Sequence, residues 1–278
     1  MIDYHVHSSL SGDSAASVAA VCGAAAAAGL REISFTEHID FEPTDPSYGA
    51  FDRDRFAEEV ARARDRFGEA LEIRMGVEVD FQEKHRPQIE AFLAAGDFDY
   101  VLGSAHYVDG IILENHAAYF GGRTPEQAYE PYFDSVLSAV ETGWFDALAH
   151  VDVCKRYGVR YFGRFDWHPY KSRIDDVLRA LIDRGMTLEV NSSGIRQSPG
   201  EPYPAGGILS RYRELGGRHV TVGSDAHRSE DVGAGIREAL ELIAQTGFDS
   251  VDTFVSRERR PVRLADSGTA HASAGRIR

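Results

Sequence analysis

Apolar and polar positions along the chain alternate between the two-residue period of a strand and the longer period of an amphipathic helix. The strand pattern occurs in seven segments: Ile2–Val6, Glu32–Thr36, Glu72–Val77, Tyr100–Ser104, Ala147–His150, Thr187–Val190 and His219–Val222. The helical pattern also occurs in seven segments: Ala15–Ala28, Asp54–Phe67, Pro87–Ala95, Pro125–Thr142, Ile174–Arg184, Ile208–Leu215 and Val232–Thr246. Ser17 and Thr124 are typical N-cap residues, while Gly29 and Gly185 are typical of helix C-termini.

This alternation of strands and helices predicts an α/β fold in which parallel strands are joined by right-handed crossovers. The strands are short, and a closed (β/α) barrel of seven units fits them better than an open doubly wound sheet, although periodicity alone does not decide. We predict a single domain over residues 1–265, because no linker interrupts the pattern. Residues 266–278 are small and polar, and we expect a disordered tail there.

The composition limits the kinds of partner that the predicted barrel can bind. The 278 residues carry a formal net charge of −14, and a surface this acidic repels phosphate backbones. We therefore expect no nucleic acid as partner, and any anionic substrate needs a local group of arginines. The two cysteines give no disulfide framework, no segment is long and apolar enough to span a membrane, and the first strand leaves no room for a signal peptide. These features predict a cytoplasmic protein.

Histidine and acidic residues recur where the predicted strands end. The first strand runs into His5-Val6-His7, which alone is a weak indication, because such a pair also occurs by chance or in surface loops. In a parallel barrel, however, the loops after the strands share one face. Those loops supply nine candidate metal ligands: His5, His7, Asp13, His38, Glu78, His106, His150, Asp225 and His227. A shared polar centre explains this recurrence better than separate hydrogen-bonded caps on each strand.

The side-chain types in this set indicate which ions would bind. Neutral imidazole combined with carboxylate suits zinc, iron or manganese, whereas magnesium and calcium prefer oxygen ligands. Nine ligands exceed what one ion can hold, and a carboxylate such as Glu78 can bridge two ions. The sequence therefore predicts two or three divalent transition-metal ions at the carboxyl ends of the strands.

The same residues carry a resemblance to a known family. The motifs are His5-Val6-His7, Thr36-Glu37-His38, Glu78, Ser104-Ala105-His106, His150 and Ser224-Asp225-Ala226-His227. Together they resemble the motif set of the PHP (polymerase and histidinol phosphatase) superfamily, over Ile2 to about Val262. The resemblance implies a distorted, TIM-like (β/α)7 barrel with a trinuclear metal centre and an active site at the carboxyl ends of the strands.

The resemblance also implies how the ligands are shared among three ions. The first ion would take His5, His7, Glu78 and Asp225. The second would take Glu78, His106 and His150, and the third would take Asp13, His38 and His227. Asp13 stands where some members of the superfamily have histidine, so the third site departs from their pattern.

A finer resemblance concerns the stretches at 36–41, 103–107, 150–158 and 189–196, which are similar to the histidinol-phosphatase branch of the superfamily. It implies hydrolysis of a small phosphate monoester, L-histidinol phosphate, to L-histidinol and phosphate in histidine biosynthesis. We hypothesise that a hydroxide bridging two metal ions attacks phosphorus in line. Glu78, Asp225 and His227 are the expected catalytic residues.

Substrate binding requires further side chains on the same face of the barrel. Positive groups suit the phosphate, and Arg196, Arg156 and Lys155 all follow predicted strands. The complete set of candidates for substrate binding is Arg196, Arg156, Lys155, Asp152, Asn191 and Tyr107. Asp40, Glu42 and Tyr107 are candidates for the ammonium and imidazole groups of histidinol.

Two other functions remain open at this point. One is a PHP-type phosphoesterase or phosphodiesterase that acts on another small phosphorylated metabolite or nucleotide. The other is a domain that binds metal without catalysis, although the complete ligand set argues against it. The sequence does not decide which metal is used or what the oligomeric state is.

Overall fold

The computed structural model describes residues 1–265, and its centre is a sheet of seven parallel strands. In chain order the strands are β1 (Ile2–Val6), β2 (Glu32–Ile39), β3 (Glu72–Asp80), β4 (Tyr100–Ser104), β5 (Ala147–Leu148), β6 (Thr187–Asn191) and β7 (Val220–Gly223). Each strand pairs with the next one along the chain. The predicted strand count and parallel barrel are thus confirmed, although β5 is only two residues long.

Backbone hydrogen bonds between β1 and the residues after β7 nearly close the sheet into a barrel. The Asp225 N–H donates to the His5 carbonyl at 2.7 Å, and the His7 N–H donates to the Ala226 carbonyl at 2.9 Å. The buried carboxylate of Asp3 reinforces this seam, because it accepts hydrogen bonds from the backbone N–H and the hydroxyl of Ser224 at 2.8 and 2.5 Å. Closure places the loops after β1 and β7 side by side.

Helices cover the outside of the barrel and connect its strands. They are α1 (Val18–Ala27), α2 (Arg53–Phe67), α3 (Arg86–Ala94), α4 (His116–Phe120), α5 (Pro125–Glu141), α6 (Lys155–Phe162), α7 (Lys171–Arg184), α8 (Ser193–Arg196), α9 (Gly206–Glu214) and α10 (Ile236–Gln245). The predicted caps at Ser17 and Thr124 are present, since each hydroxyl accepts a backbone N–H of the first turn. Within residues 1–265, no helix is long and apolar enough to cross a bilayer.

The strict one-to-one alternation of strands and helices is wrong in detail. Two helices lie between β4 and β5, between β5 and β6, and between β6 and β7, and one of each pair (α4, α6 and α8) is not predicted by the sequence pattern. The sequence pattern also missed two antiparallel hairpins. One pairs Tyr107–Val108 with Ile111–Ile112, and the other pairs Ser250–Val255 with Glu258–Arg263.

The second hairpin packs against the amino ends of the strands and forms the floor of the barrel. The Phe254 ring stacks on the Tyr100 ring with centroids 4.9 Å apart, and the Phe254 N–H donates to the Tyr4 hydroxyl at 3.0 Å. Its turn uses Ser256 and Arg257 at φ of 50° and 64°, where glycine or asparagine is usual. The usual sequence signal for a hairpin is therefore missing.

The predicted division of the chain rests on this barrel. The strands and helices given above are those of residues 1–265, which we predict to be one domain. The predicted disordered tail, residues 266–278, lies outside the described residues.

Candidate metal centre

The predicted ligands lie together at the carboxyl ends of the strands, around a cavity of about 660 Å³. Each ligand is near the end of its strand or in the loop that follows, and the curvature of the barrel turns these positions toward one another. The lining of the cavity includes Asp13, His38, Glu78, His106, His150, Asp225 and His227. His5 and His7 are completely buried beneath it.

Glu78, near the end of β3, is the common neighbour of most of these histidines. Its Oε2 lies 3.2 Å from Nε2 of His5, 3.2 Å from Nδ1 of His38 and 3.6 Å from Nε2 of His7. Its other oxygen, Oε1, faces a different pair of ligands. One carboxylate therefore faces two groups of imidazoles, which is the arrangement that the predicted bridging role requires.

The imidazoles on the second side of Glu78 come from the ends of β4 and β5. His150 Nε2 lies 3.0 Å from Glu78 Oε1, and His106 Nε2 lies 3.4 Å from the same oxygen. The side chain of His150 is buried, whereas that of His106 is about one-quarter exposed to the cavity. These three residues are the ligands that the resemblance assigns to the second ion.

The residues assigned to the third ion also meet. Asp13 Oδ2 lies 2.9 Å from Nε2 of His227 and 3.4 Å from Nε2 of His38. The two Nε2 atoms are 3.4 Å apart. This group is the most open of the three, because the side chain of Asp13 is 36% exposed.

Asp225 completes the first group from the loop after β7. Its Oδ1 lies 3.7 Å from Nε2 of His5 and 3.6 Å from Nε2 of His7. The residue has a left-handed backbone, with φ of 54°, a conformation that aspartate tolerates better than most residues do. This turn brings its carboxylate back over β1.

The donor atoms fit bound metal ions better than they fit one another. His7 Nε2 is buried without a hydrogen-bond partner, although oxygens of Glu78 and Asp225 lie 3.6 Å away on either side. A buried nitrogen in that position is costly unless it has a ligand. Three sets have their donor atoms within 4.8 Å of one another: His5 with His7 and Asp225, His5 with Glu78 and His150, and His7 with His38 and His227. The residues would hold two or three divalent ions.

Buried carboxylates and imidazoles also set each other's protonation in this centre. Burial alone would raise the pKa of Glu78, but the charges of His5 and His38 hold it well below its usual range. Burial alone would lower the pKa of His38, but the carboxylates of Glu78 and Asp13 raise it to about 10. Burial alone would likewise lower the pKa of His106, but nearby carboxylates, mainly Glu78, raise it to about 9. In the metal-free protein, protons thus occupy positions that metal ions would take.

Zinc binding is therefore expected to release protons, and zinc affinity is expected to weaken as the pH falls below about 10, and more steeply below about 9. Below their raised pKa values, His38 and His106 are protonated and must lose a proton before they can bind a metal ion. Calorimetric titration in two buffers of different ionisation enthalpy, repeated across this range, counts the protons released. An affinity independent of pH would contradict this prediction.

Two serines connect Glu37 to the metal ligands. The Ser11 hydroxyl donates to Glu37 Oε2 at 2.5 Å and lies 3.2 Å from Nδ1 of His7. The backbone and hydroxyl of Ser8 donate to the same carboxylate. Glu37 thus orients His7 through Ser11, in agreement with the usual pattern in which outer groups fix metal-binding imidazoles.

A fourth group, which the sequence pattern does not predict as a set, lies beside His106. Asp80 Oδ1 accepts the His106 N–H at 2.6 Å and lies 3.7 Å from its Nδ1. Asp40 lines the cavity and has a buried oxygen without a hydrogen-bond partner. Burial and the neighbouring Asp80 carboxylate raise the pKa of Asp40 to about 8. Asp80 was missed because it is the last residue of β3, beyond the predicted end of that strand.

Only two of the six predicted substrate-binding residues, Arg156 and Arg196, line the cavity. The Arg196 guanidinium donates to the carbonyls of Ser224 and Asp225 at 2.7 and 3.0 Å, so it is tied to the metal-binding loop. Arg156 lies over the ring of Tyr157 and, within residues 1–265, has no ion pair. It is thus free to bind an anion in the cavity.

Lys155 and Asp152 have a structural position rather than the predicted contact with substrate. Lys155 is completely buried, and its Nζ donates to Asp152 at 2.9 Å, to Glu201 at 3.1 Å and to the Pro202 carbonyl at 2.8 Å. The same Asp152 oxygen accepts the Ala205 N–H at 2.9 Å. The pair therefore fastens the loop after α8 to the start of α6.

Asn191 and Tyr107 also lie outside the lining of the cavity. Asn191 is buried and donates to Glu189 at 3.1 Å. The Tyr107 hydroxyl donates to Asp45 at 2.8 Å, and Asp45 itself lines the cavity. Asn191 and Tyr107 therefore each hold a neighbouring carboxylate and do not line the cavity themselves.

Comparison with known proteins gives a family match and similar relatives over most of the chain. The PHP domain family model matches residues 3–193. A protein of Clostridium acetobutylicum named "Probable histidinol-phosphatase" is 31% identical, with 90% of this chain and 96% of that protein covered. A protein of the same name from Deinococcus radiodurans is also 31% identical, with 94% and 99% covered. The crystal structure of histidinol phosphate phosphatase from Lactococcus lactis, in complex with zinc, L-histidinol and phosphate, superposes with a TM-score of 0.85. It is 26% identical, and the match covers 93% of this chain and 98% of that one.

Proposed function

The chain belongs to the PHP domain family, and on that premise we propose that it is a metal-dependent phosphomonoesterase acting on L-histidinol phosphate. The products are L-histidinol and phosphate. The main supporting observation is a single cavity that combines the candidate metal-binding cluster with three arginines, Arg156, Arg196 and Arg228, and several carboxylates. The match to histidinol-phosphatases over nearly their whole length, and to a structure that holds zinc, L-histidinol and phosphate, supports the same substrate.

The predicted ligands would hold the metal ions in the three groups that the family resemblance implies, with Glu78 shared between the first and second ions. When bound, such ions lower the pKa of water and neutralise charge on the phosphoryl group. The chain's own residues then have to bind the phosphate, receive the rest of the substrate and supply a proton to the leaving oxygen.

Phosphate binding falls to Arg156 and Arg196. Both line the cavity, one from the start of α6 and the other from the end of α8. A guanidinium can donate two parallel hydrogen bonds to phosphate oxygens. Since the Arg196 side chain already donates to two carbonyls, Arg156 has more donors available for the substrate.

Arg156→Met is expected to lower kcat/KM for L-histidinol phosphate by about 10²-fold, because charge-assisted hydrogen bonds are worth about 1.5–3 kcal/mol each. Steady-state phosphate release measures the change. Arg160→Met is a matched control, since Arg160 lies on the same helix but contacts His116, outside the cavity lining. Equal effects of the two substitutions would show that Arg156 does not bind phosphate.

Acidic side chains in the same cavity suit the cationic groups of histidinol. Asp40, Asp45 and Glu114 line it, so carboxylates are available to an ammonium or imidazole. Asp40 has an oxygen without a partner, and Asp45 is held by Tyr107. The predicted candidate Glu42 is instead paired with Lys84 and does not line the cavity.

Protonation of the leaving oxygen falls to Asp225 or His227. Both line the cavity, and His227 Nδ1 lies 3.4 Å from Asp225 Oδ1. Asp152, which the sequence predicts to bind substrate, is buried against Lys155 and does not line the cavity. Asp225, His227 and Glu78 therefore remain our proposed catalytic residues.

We infer a small phosphate monoester as the partner and no nucleic acid, because the chain carries a net charge of −14. Cys22 and Cys154 are both buried and unpaired, which fits a reducing compartment such as the cytoplasm. We propose that residues 1–265 act as one catalytic domain.

Rescue of a histidine auxotroph that lacks its histidinol-phosphatase tests the proposed substrate in the cell. Growth without histidine is expected with the wild-type chain and not with His5→Ala. In parallel, zinc- or manganese-loaded protein is assayed on phosphomonoesters, nucleotides and a phosphodiester. Failure to rescue, together with faster turnover of a nucleotide or the diester, would favour the alternative phosphoesterase.

A further inference from the structure

A buried carboxylate on β6 lies directly behind the metal ligands and was not predicted from the sequence. Glu189 is completely buried, and its Oε1 is 2.6 Å from Nδ1 of His5. Its Oε2 accepts the backbone N–H of His150 at 2.8 Å and the side-chain N–H of Asn191 at 3.1 Å. Within residues 1–265, Glu189 has no lysine or arginine partner. Burial of a carboxylate costs free energy unless the group is hydrogen-bonded or paired, and the partners of Glu189 are His5, His150 and Asn191.

The bond to His5 determines which nitrogen of that ring can bind a metal ion. A carboxylate only accepts hydrogen bonds, so His5 must carry a proton on Nδ1. When the ring is neutral, this leaves the lone pair of Nε2 for a metal ion, and Nε2 faces the centre, 3.2 Å from Glu78 Oε2 and 3.7 Å from Asp225 Oδ1. A carboxylate behind a metal-binding imidazole fixes the tautomer and orientation of the ring in this way.

The hydrogen bonds that Glu189 Oε2 accepts also hold a predicted metal ligand that follows another strand. His150 follows β5, and its backbone N–H is held by Glu189 while its Nε2 lies 3.0 Å from Glu78. Since β5 is only two residues long, few ladder hydrogen bonds fix the position of this residue. One side chain thus sets two ligands that approach Glu78 from different sides.

We propose that Glu189 is the positioning residue that commits His5 Nε2 and His150 to the metal centre. This inference rests on the proposed metal-dependent function. It concerns a residue that touches neither the cavity nor the substrate, since Glu189 is absent from the cavity lining.

Glu189→Gln tests the need for two hydrogen-bond acceptors at this position. A carboxylate has two acceptor oxygens, whereas a side-chain amide has one acceptor oxygen and one donor NH₂ group. If the amide oxygen faces His5, the NH₂ group is directed at the N–H groups of His150 and Asn191. If the NH₂ group faces His5, the ring must accept at Nδ1 and carry its proton on Nε2, where it cannot bind a metal ion. Either orientation harms one of the two ligands.

The test measures zinc content and the His5 tautomer in Glu189→Gln. Loss of outer hydrogen bonds typically weakens metal affinity by about 10–100-fold. After dialysis against buffered zinc, the variant is therefore expected to hold about one ion fewer per chain than wild type. In ¹H–¹⁵N spectra of the zinc-loaded variant, the His5 Nδ1–H signal of wild type is expected to shift if the amide oxygen faces His5 and to be lost if the NH₂ group faces it.

Asp252→Asn provides the matched control. Asp252 is also a buried carboxylate that accepts from a histidine, 3.0 Å from His219 Nδ1, but it lies on the floor hairpin away from the ligands. It is expected to keep the wild-type zinc content. Wild-type zinc content and an unchanged His5 signal in Glu189→Gln would overturn the inference.

Wild-type spectra keep the inference testable should Glu189→Gln fail to fold. Zinc-loaded wild type must show His5 protonated on Nδ1, and a proton on Nε2 would overturn the role of Glu189 without any variant. Failure of wild type to bind zinc at all would instead contradict the proposed metal-dependent function. The two failures are therefore distinguishable.

Discussion

Glu78→Gln is expected to lower kcat/KM for L-histidinol phosphate by at least about 10³-fold, equivalent to about 4 kcal/mol of transition-state stabilisation. The reason is that its two oxygens face different groups of imidazoles, at 3.2 Å from His5 and His38 and at 3.0 Å from His150. An amide nitrogen has no lone pair for a metal ion, so one of the two groups loses its shared ligand. The fold should persist, because the substitution preserves the shape of the side chain.

Steady-state kinetics at saturating zinc or manganese, together with metal analysis, measure the effect of Glu78→Gln. Glu72→Gln is the matched control, since Glu72 begins the same strand but has a side chain that is 63% exposed. The control is expected to keep wild-type activity and metal content. If Glu78→Gln kept more than about one-tenth of wild-type activity, the shared-ligand role of Glu78 would be refuted.

Gly223→Ala is expected to cost about 3 kcal/mol or more in the free energy of unfolding and to reduce zinc binding. A Cβ at this position would lie 2.3 Å from Cβ of His5 and 2.6 Å from Oε1 of Glu189. The His5 Cβ cannot move without shifting β1, and overpacking of a core costs about 1–3 kcal/mol even where neighbours adjust. The new methyl group would thus push His5 away from the centre.

Chemical denaturation and zinc titration of Gly223→Ala check this result. Gly23→Ala serves as the control, because Gly23 lies within helix α1 and nothing lies within 4 Å of the position of its missing Cβ. That substitution is expected to stabilise the protein by up to about 1 kcal/mol. Wild-type stability and zinc affinity in Gly223→Ala would show that β1 and β7 do not pack as closely as described.

The candidate metal ligands could be predicted as a group because their positions follow from the architecture. Once the alternation of strands and helices indicated a parallel barrel, every loop after a strand had to share one face, and the histidines of those loops had to meet there. His5, His38 and His150 are examples from three different strands. The metal chemistry then followed from the side-chain types alone.

The supporting residues were harder to predict, because their roles depend on contacts between distant parts of the chain. Glu189 lies within β6 rather than after it, and only barrel closure brings it against His5, 184 positions earlier. Lys155 and Asp152 follow a metal ligand in sequence, but helix α6 starts at Lys155 and directs that side chain inward. Nothing in the local pattern separates such a lysine from a basic residue that binds phosphate, which is the role that we expect for Arg156.

The most direct test of the account is phosphate release from L-histidinol phosphate by the purified chain, before and after chelation of its metal ions. Compared with p-nitrophenyl phosphate, which lacks the ammonium and imidazole groups, L-histidinol phosphate is expected to have a kcat/KM at least about 10²-fold higher. Chelation should abolish release, and added zinc or manganese should restore it. Equal kcat/KM for the two esters, or turnover of L-histidinol phosphate that survives complete removal of metal, would contradict the proposed function.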